Sequence, residues 1–257
     1  MMRIALFQMQ AASGDVGANL GSIAEAAQRA ADNGASLLVA PELALTGYGA
    51  GDIIHTLAEP ADGAQLAKLE AIAAAHGIAI VSGFAERDGA AVYNSAAYVD
   101  GKGERAIYRK SHLFGDYERA LFKPAPPATC LFQHGGLKIS LLICYDVEFP
   151  ENVRRLALAG ADLVIVPTAL PAGPSGTFIA HKMIQVRAFE NQLFVAYVNH
   201  VGKDENFTFA GLSRLAAPDG SLLVEIGDAE EQLRFADIDL AAREAAIAEY
   251  SYLRDLG

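Results

Sequence analysis

The chain has 257 residues, of which 52% are hydrophobic, and its 31 acidic and 20 basic residues give a formal net charge of -11. This apolar content is too high for a disordered chain, and two cysteines cannot hold a chain of this length as a disulfide scaffold. The acidic charge, with no cluster of basic residues to offset it, argues against a nucleic-acid partner.

The sequence contains no segment typical of secretion or membrane insertion. The N-terminal apolar run is too short for the hydrophobic region of a signal peptide. The longest weakly polar stretch, residues 156–180, is interrupted by three prolines and carries Asp162. We therefore expect a cytoplasmic protein with reduced thiols and no membrane partner.

Strand-like and helix-like segments alternate along the first half of the chain. Apolar residues recur at spacings of three and four over residues 18–31, which predicts an amphipathic helix that ends at Asn33-Gly34. The other predicted elements of this half are a helix at 63–76 and strands at 4–9, 37–40, 78–84, 92–99 and 107–109.

The second half repeats this alternation. Its predicted strands are at 129–133, 137–143, 163–166, 193–199 and 233–238, and its predicted helices are at 150–159, at 176–191 and from 241 onwards. Gly135-Gly136 and residues 218–220 are hairpin signals. Wholly apolar strands such as 163–166 are typical of strands buried on both faces, so the predicted class is α/β.

One segment of the first half resembles a segment of the second. Residues 34–42 (GASLLVAPE) align without gaps with residues 160–168 (GADLVIVPT), and each reads as a helix stop, a buried strand and a proline that ends the strand. We expect two pseudo-equivalent halves within a single domain of residues 1–257, with these two strands in equivalent positions.

Three strand ends carry side chains that could perform chemistry: Glu42, Lys110 and Cys144. Cys144 follows an apolar strand and precedes a helix, where backbone amides can activate a thiol as a nucleophile. Apolar neighbours would raise the pKa of Glu42 and make it a better proton acceptor. Together with a lysine ammonium near a developing oxyanion, these groups suit acyl transfer. Cys130 lacks such a setting and is interpreted as a packing residue.

The three sites lie in segments that resemble the signature blocks of the nitrilase, or carbon–nitrogen hydrolase, superfamily. The segments are residues 41–48 (PELALTGY), 108–114 (YRKSHLF) and 142–151 (LICYDVEFPE), with Tyr93-Asn94-Ser95 between the first two. The resemblance covers nearly the whole chain. It implies a four-layer α-β-β-α sandwich, a Glu42–Lys110–Cys144 triad, Glu118 as a second glutamate, and a homodimer or higher homo-oligomer.

The implied reaction forms a thioester on Cys144 and needs no cofactor. Glu42 acts as the base, Lys110 and the backbone N–H of Tyr145 stabilise the oxyanion, and Glu118 holds the substrate amide or orients Lys110. The six histidines are scattered, so we expect no metal site. The residues expected to bind substrate or form the pocket walls are Tyr48, Phe114, Tyr117, Tyr145, Phe149, Pro167, Thr168 and Ala169.

The identity of the bond that is cleaved depends on the residues after the cysteine. Tyr145-Asp146 stands where true nitrilases typically have Trp-Glu, and Glu148 stands where carbamoylases often have arginine. Because Glu148 offers no positive charge to an acidic substrate, we expect a neutral aliphatic carboxamide. An N-carbamoyl amino acid or amine amidohydrolase and a nitrilase remain alternatives, and Arg154, Arg155 or Arg187 could bind a substrate carboxylate.

Other classes of function explain less of the sequence. The glycines of residues 47–51 could belong to a nucleotide-binding loop, but their spacing does not match the usual fingerprint. A papain-like enzyme with His112 or His200 as its base would leave Glu42 and Lys110 unexplained. A noncatalytic binding relative would have no need of an intact triad.

Overall fold

The computed structural model describes residues 1–256. Its strands in chain order are β1 (Met2–Gln8), β2 (Leu37–Val39), β3 (Ala79–Asp88), β4 (Ala91–Val99), β5 (Arg105–Arg109), β6 (Leu131–His134), β7 (Leu137–Leu141), β8 (Leu163–Thr168), β9 (Phe194–Asn199), β10 (Arg214–Ala216), β11 (Leu222–Glu225) and β12 (Gln232–Ile238). They form two six-stranded sheets, in the orders β12-β1-β2-β3-β4-β5 and β11-β10-β9-β8-β7-β6.

Helices connect and cover these strands. They are α1 (Val16–Asp32), α2 (Ile53–Leu57), α3 (Ala64–His76), α4 (Gly115–Leu121), α5 (Pro150–Leu158), α6 (Pro174–Phe178), α7 (Ile184–Asn191) and α8 (Leu240–Glu249). A 3₁₀ turn spans Cys144–Glu148, and a π-helical turn spans Ile179–Met183. No helix within residues 1–256 is long and apolar enough to cross a membrane.

The two sheets pack face to face between two helical layers. Alternate residues of β1, such as Ile4 and Leu6, belong to a core shared with β7, β8 and β9, whereas Ala5 and Phe7 belong to a second core with α1 and α3. Since neighbouring side chains of a strand point to opposite faces, the first sheet lies between these two helices and the second sheet. Helices α5 and α7 cover the outer face of the second sheet. The four-layer α-β-β-α sandwich is confirmed.

The two halves of the chain have the same topology. In the first half β2 is parallel to both β1 and β3, and in the second half β8 is parallel to both β7 and β9. The connecting helices also correspond, α1 to α5 and α3 to α7. Strands β2 and β8 each lie third from one end of their sheet. The equivalence expected for residues 34–42 and 160–168 is therefore confirmed.

Two features differ from the sequence expectation. The helix predicted over 176–191 begins two residues earlier, at Pro174, and its middle turn is π-helical rather than α-helical. Helices α2 and α4 were not predicted, because five and seven residues are too few to show a helical period. Helix α4 carries Glu118, so a helix that the sequence did not predict positions the second glutamate.

Candidate active site

The strand ends identified in the sequence meet in the structure. Glu42 follows β2 and Pro41, Lys110 directly follows β5, and Cys144 begins the 3₁₀ turn after β7. All three side chains are buried: Glu42 and Lys110 are 0% exposed and Cys144 is 6% exposed. The packing of one sheet on the other brings the ends of strands from both halves of the chain to one place.

The backbone is strained at Cys144 and directly after Glu42. Leu43, directly after Glu42, has a φ of 49°, and Cys144 has a φ of 42°. Residues with a Cβ adopt this left-handed region at an energetic cost, and such strain is concentrated at functional sites. Gly83 of β3 allows the first turn to pack closely, because a Cβ there would lie 2.1 Å from the backbone nitrogen of Leu43. These two sharp turns carry the side chains of Glu42 and Cys144.

Lys110 joins two carboxylates. Its Nζ lies 2.6 Å from Oε1 of Glu42 and 2.6 Å from Oε1 of Glu118, and Glu118 is also 0% exposed. A buried ion pair with excellent geometry is strongly destabilised when one partner is removed. An ammonium has three N–H donors, so these two bonds leave one donor of Lys110 for another group.

The carboxylate of Glu118 accepts three hydrogen bonds, one of them from Lys110. Its Oε1 also accepts the hydroxyl of Tyr48 at 2.8 Å, and its Oε2 accepts the backbone N–H of Phe114 at 2.8 Å. These contacts suit a fixed acceptor that orients Lys110. They leave little capacity for binding a substrate amide, which was the other role expected for Glu118.

Glu42 has one engaged oxygen and one free oxygen. The side-chain amide of Asn94 donates to Oε1 at 2.7 Å, and the ring of His200 contacts the backbone carbonyl of Glu42 at 2.7 Å. The other oxygen, Oε2, is buried and has no hydrogen-bond partner within residues 1–256. Buried acceptors are almost always bonded. The exception at Glu42 therefore identifies an oxygen that can accept a proton.

The charges of the cluster set its protonation. Burial raises the pKa of Glu42 to about 7, against the attraction of the Lys110 ammonium. Burial opposes the charge of Lys110, but the carboxylates of Glu118 and Glu42 outweigh it and hold the pKa of Lys110 well above its ordinary value. Burial and the charge of Glu42 raise the pKa of the Cys144 thiol well above its ordinary value. At neutral pH the resting site therefore holds a thiol, an ammonium and a carboxyl group near its midpoint.

A cavity of about 460 Å³ opens beside Cys144. Its lining consists of Phe114, Cys144, Tyr145, Glu148, Ile179 and residues 170–176. The π-helical turn begins at Ile179 and thus contributes to the wall. This volume is at the smaller end of ligand pockets in general and fits a small molecule.

The structure places the predicted pocket residues in two groups. Phe114 and Tyr145 line the cavity. Six other residues expected at the site are outside the lining of this cavity, although the backbone of Ala169 donates a hydrogen bond to the Cys144 thiol: Tyr48, Tyr117, Phe149, Pro167, Thr168 and Ala169. Tyr48 and Tyr117 instead form an aromatic cluster with Phe207 behind Glu118. The sequence placed these two aromatic residues near the site, but it could not show that they pack against Glu118 instead of lining the cavity.

Asp146 connects the segment that carries Lys110 to the turn that carries Cys144. Its fully buried carboxylate accepts the hydroxyl of Tyr108 at 2.9 Å, the hydroxyl of Ser111 at 2.7 Å and the backbone N–H of His112 at 2.8 Å. Because these donors flank Lys110, Asp146 fixes the lysine strand relative to the nucleophile. The sequence identified Asp146 only as a mark of the family branch.

Arg187 fixes the other end of the 3₁₀ turn. Its Nε donates to the carbonyl of Val147 at 2.9 Å, and its Nη2 donates to the carbonyl of Glu148 at 2.7 Å. The guanidinium also pairs with Glu190 at 3.0 Å. The guanidinium of Arg187 is thus occupied by the nucleophile turn and Glu190, and is not free to bind a substrate carboxylate, the role that the sequence suggested.

The contacts of the histidines do not support a papain-like site. The ring of His112 lies 2.9 Å from Asp146 and stacks on Phe149, and His200 is held by the carbonyl of Glu42. Within residues 1–256 neither ring is hydrogen-bonded to Cys144.

The glycines of residues 47–51 are also committed to other contacts. The backbone N–H of Gly49 donates to the carboxylate of Asp204 at 3.0 Å, and the N–H of Gly51 donates to the Tyr117 hydroxyl at 3.0 Å. An acidic side chain in this position repels a phosphate, so the loop does not form a nucleotide site.

Comparisons with known proteins agree with this arrangement of fold and site. The family model described as carbon-nitrogen hydrolase matches residues 3–248. The chain belongs to the carbon–nitrogen hydrolase family, and the predictions of the superfamily and of an enzyme are confirmed. Within it, the chain is similar to proteins named amidase and nitrilase.

Two curated relatives are similar to nearly the full chain. A Pseudomonas protegens protein described as "Hydrolase in pqqF 5'region" is 43% identical over 260 residues, which cover 99% of this chain and 88% of the relative. An (R)-stereoselective amidase from Pseudomonas sp is 38% identical over 257 residues, covering 99% of this chain and 91% of the relative.

A solved structure shows chemistry on the same scaffold. A mutant of the amidase from Nesterenkonia sp. AN1 has a TM-score of 0.89 and 38% identity, covering 99% of this chain and 93% of that one. In it the acetamide moiety of fluoroacetamide is covalently attached at the active site cysteine.

Proposed function

We propose that this protein hydrolyses an aliphatic carboxamide to a carboxylic acid and ammonia through a thioester on Cys144. The observation that carries the proposal is the buried bridge of Lys110 between Glu42 and Glu118, at 2.6 Å from each, beside a cavity lined by the thiol. The names of the amidase relatives support the choice of bond.

In the first step Glu42 takes the thiol proton while the sulfur of Cys144 bonds to the amide carbon. The free Oε2 of Glu42 and a pKa of about 7 suit this transfer, since the best general base titrates near the working pH. The electron pair of the carbonyl double bond moves to its oxygen and creates an oxyanion.

Two donors stabilise that oxyanion. The third N–H of Lys110 is one, and the backbone N–H of Tyr145, in the first turn of the 3₁₀ segment, is the other. Removal of one oxyanion donor in other enzymes costs about 10²–10³-fold in turnover. Both donors are held in place before substrate arrives, Lys110 by its two carboxylates and the turn by Arg187.

Collapse of the intermediate breaks the carbon–nitrogen bond. Glu42 returns its proton to the leaving nitrogen, so that ammonia departs and the acyl group remains on Cys144. Glu42 then removes a proton from water, whose oxygen attacks the thioester carbon. The carbon–sulfur bond breaks, the carboxylic acid leaves, and Glu42 returns the proton to the sulfur of Cys144. No other group is consumed.

Ammonia release from simple amides, nitriles and N-carbamoyl amino acids tests this proposal. We expect turnover of amides that is lost in Cys144→Ala and retained in Cys130→Ala, which removes the other free thiol. Intact-mass measurement after mixing with substrate should show the acyl adduct on the wild-type protein and on Cys130→Ala, but not on Cys144→Ala. Turnover by Cys144→Ala would refute the mechanism, and activity on nitriles without activity on amides would refute the assigned bond.

We further propose that the chain works as a homo-oligomer. The helical layer over the second sheet exposes large apolar side chains, Leu158, Phe178 and Val186. Exposed apolar surface of this kind often marks an interface between proteins. Light scattering on the purified protein should give at least twice the monomer mass, and a monomer at micromolar concentration would contradict the proposal.

A further inference from the structure

The cavity beside Cys144 contains a carboxylate that the mechanism does not use. Glu148 lies at the far end of the 3₁₀ turn that begins with Cys144, is half-buried and lines the same cavity. It is the one side chain of the lining that ordinarily carries a full charge; the rest of the wall is apolar, aromatic or small, apart from Ser175 and Cys144. A single carboxylate in such a wall fixes what a ligand can place opposite it.

Burial raises the pKa of Glu148 and the nearby charges of Lys110 and Arg187 lower it, but neither cation is bonded to its carboxylate. Lys110 is bridged to Glu42 and Glu118, while the guanidinium of Arg187 is occupied by two backbone carbonyls and Glu190. Within residues 1–256 the carboxylate of Glu148 has no hydrogen-bond donor and no ion-pair partner. A partly desolvated carboxylate without a partner is costly, and an ammonium from the ligand removes that cost.

The charge of the whole chain acts in the same direction. A net charge of -11 attracts cations and repels anions at a distance, which raises the encounter rate of a positively charged substrate. The sequence favours a neutral amide only because Glu148 cannot receive an acidic one. The structure shows, in addition, that the Glu148 carboxylate has no partner. A neutral amide would leave it without one, whereas a positively charged amide would pair with it.

We propose that Glu148 is a specificity-determining residue that receives the protonated amine of a short amino-carboxamide whose amide carbon lies at Cys144. This inference rests on the proposed amidase function. The amine and the amide are held at opposite ends of one turn, so the distance between them in the substrate is limited by the length of that turn.

A series of three amides of equal chain length tests the inference. The compounds 3-aminopropanamide, butanamide and succinamate carry an ammonium, a methyl and a carboxylate at the same position. We expect the kcat/KM of the wild-type protein to fall in that order, with the ammonium compound about tenfold or more above the methyl compound, as for a hydrogen bond to a charged group.

Glu148→Gln keeps the shape of the side chain and removes its charge. The preference for 3-aminopropanamide over butanamide, taken as the ratio of the two kcat/KM values, should fall roughly tenfold, mainly because the KM for 3-aminopropanamide rises. Glu151→Gln is the matched control: it removes the same charge from an exposed position three residues further on and should leave the preference unchanged.

The outcomes separate this inference from the function on which it rests. Hydrolysis of all three amides at equal rates by the wild-type protein, or an equal loss for all three in Glu148→Gln, overturns the role of Glu148 and leaves the amidase function standing. Absence of any ammonia release that depends on Cys144 overturns the function itself. The wild-type series decides the question even if the variant is unstable, which its thermal melting curve would show.

Discussion

The hydrogen bond from Asn94 to Glu42 allows a quantitative test of the proposed base. Asn94→Ala removes a donor that lies 2.7 Å from the carboxylate and favours its ionised form. A hydrogen bond to a charged group is worth about 1.5–3 kcal/mol, and about 1.36 kcal/mol corresponds to one pKa unit. The pKa of Glu42 should therefore rise from about 7 by roughly one to two units.

The pH dependence of kcat/KM reports this pKa, because it reflects ionisation of the free enzyme. Glu42 accepts a proton only when it is ionised, so activity declines about tenfold per pH unit below its pKa. In the wild-type protein this decline should begin near pH 7, and in Asn94→Ala it should begin at a pH about one to two units higher.

Ser95→Ala is the control for this experiment. Ser95 is the next residue of the same strand, is equally buried and bonds to Glu86 instead of Glu42. Its variant should keep the midpoint of the wild-type protein. An Asn94→Ala midpoint that also stays at the wild-type value would show that Glu42 is not the group whose ionisation limits the rate.

Three further predictions concern the surroundings of the site. In Glu118→Gln the loss of a negative charge that raises the pKa of Glu42 should move the acid midpoint of kcat/KM to lower pH, opposite to Asn94→Ala, while turnover falls; a shift upward would contradict the electrostatic account. Gly83→Ala should destabilise the protein by about 1–3 kcal/mol in urea unfolding and reduce kcat, because the new Cβ meets the backbone of Leu43 at 2.1 Å. Asp146→Ala leaves several buried donors unpaired and should cost about 3–5 kcal/mol of unfolding free energy, with a larger loss of kcat than of substrate affinity; unchanged unfolding would show that the carboxylate does not join the two segments.

The sequence predicted the residues whose position depends on local order along the chain. Glu42, Lys110 and Cys144 each follow a short apolar strand, and a strand end is visible in one sequence. The role of Asn94 was not predicted, because its contact with Glu42 joins residues 52 positions apart and exists only once β2, β3 and β4 are neighbours.

The supporting contacts of the nucleophile turn were hidden for the same reason. Arg187 reaches Val147 across 40 positions, and Asp146 reaches Tyr108 across 38. The one usable signal was Asp146 itself, two residues after Cys144, which the sequence shows without its partners. The walls of the cavity were mostly missed, since residues 170–176 carry small or apolar side chains and no motif.

The doubled fold explains why one chain has one such site instead of two. In the gapless alignment Glu42 corresponds to Thr168, whose hydroxyl donates to the carbonyl of Val166. Ile139 pairs with Leu163 as Ile4 pairs with Leu37, so Ile139 and Ile4 are equivalent positions. Counting five residues further in each half, Cys144 corresponds to Met9, which is fully buried.

Each half thus supplies one of these two reactive groups. At the position equivalent to the other half's reactive group, it has an unreactive residue. The base comes from the end of β2 and the nucleophile from the segment after β7, and only the packing of one sheet on the other brings them together. Neither half contains both the base and the nucleophile, so the chemistry depends on the interface between the two sheets as much as on either motif.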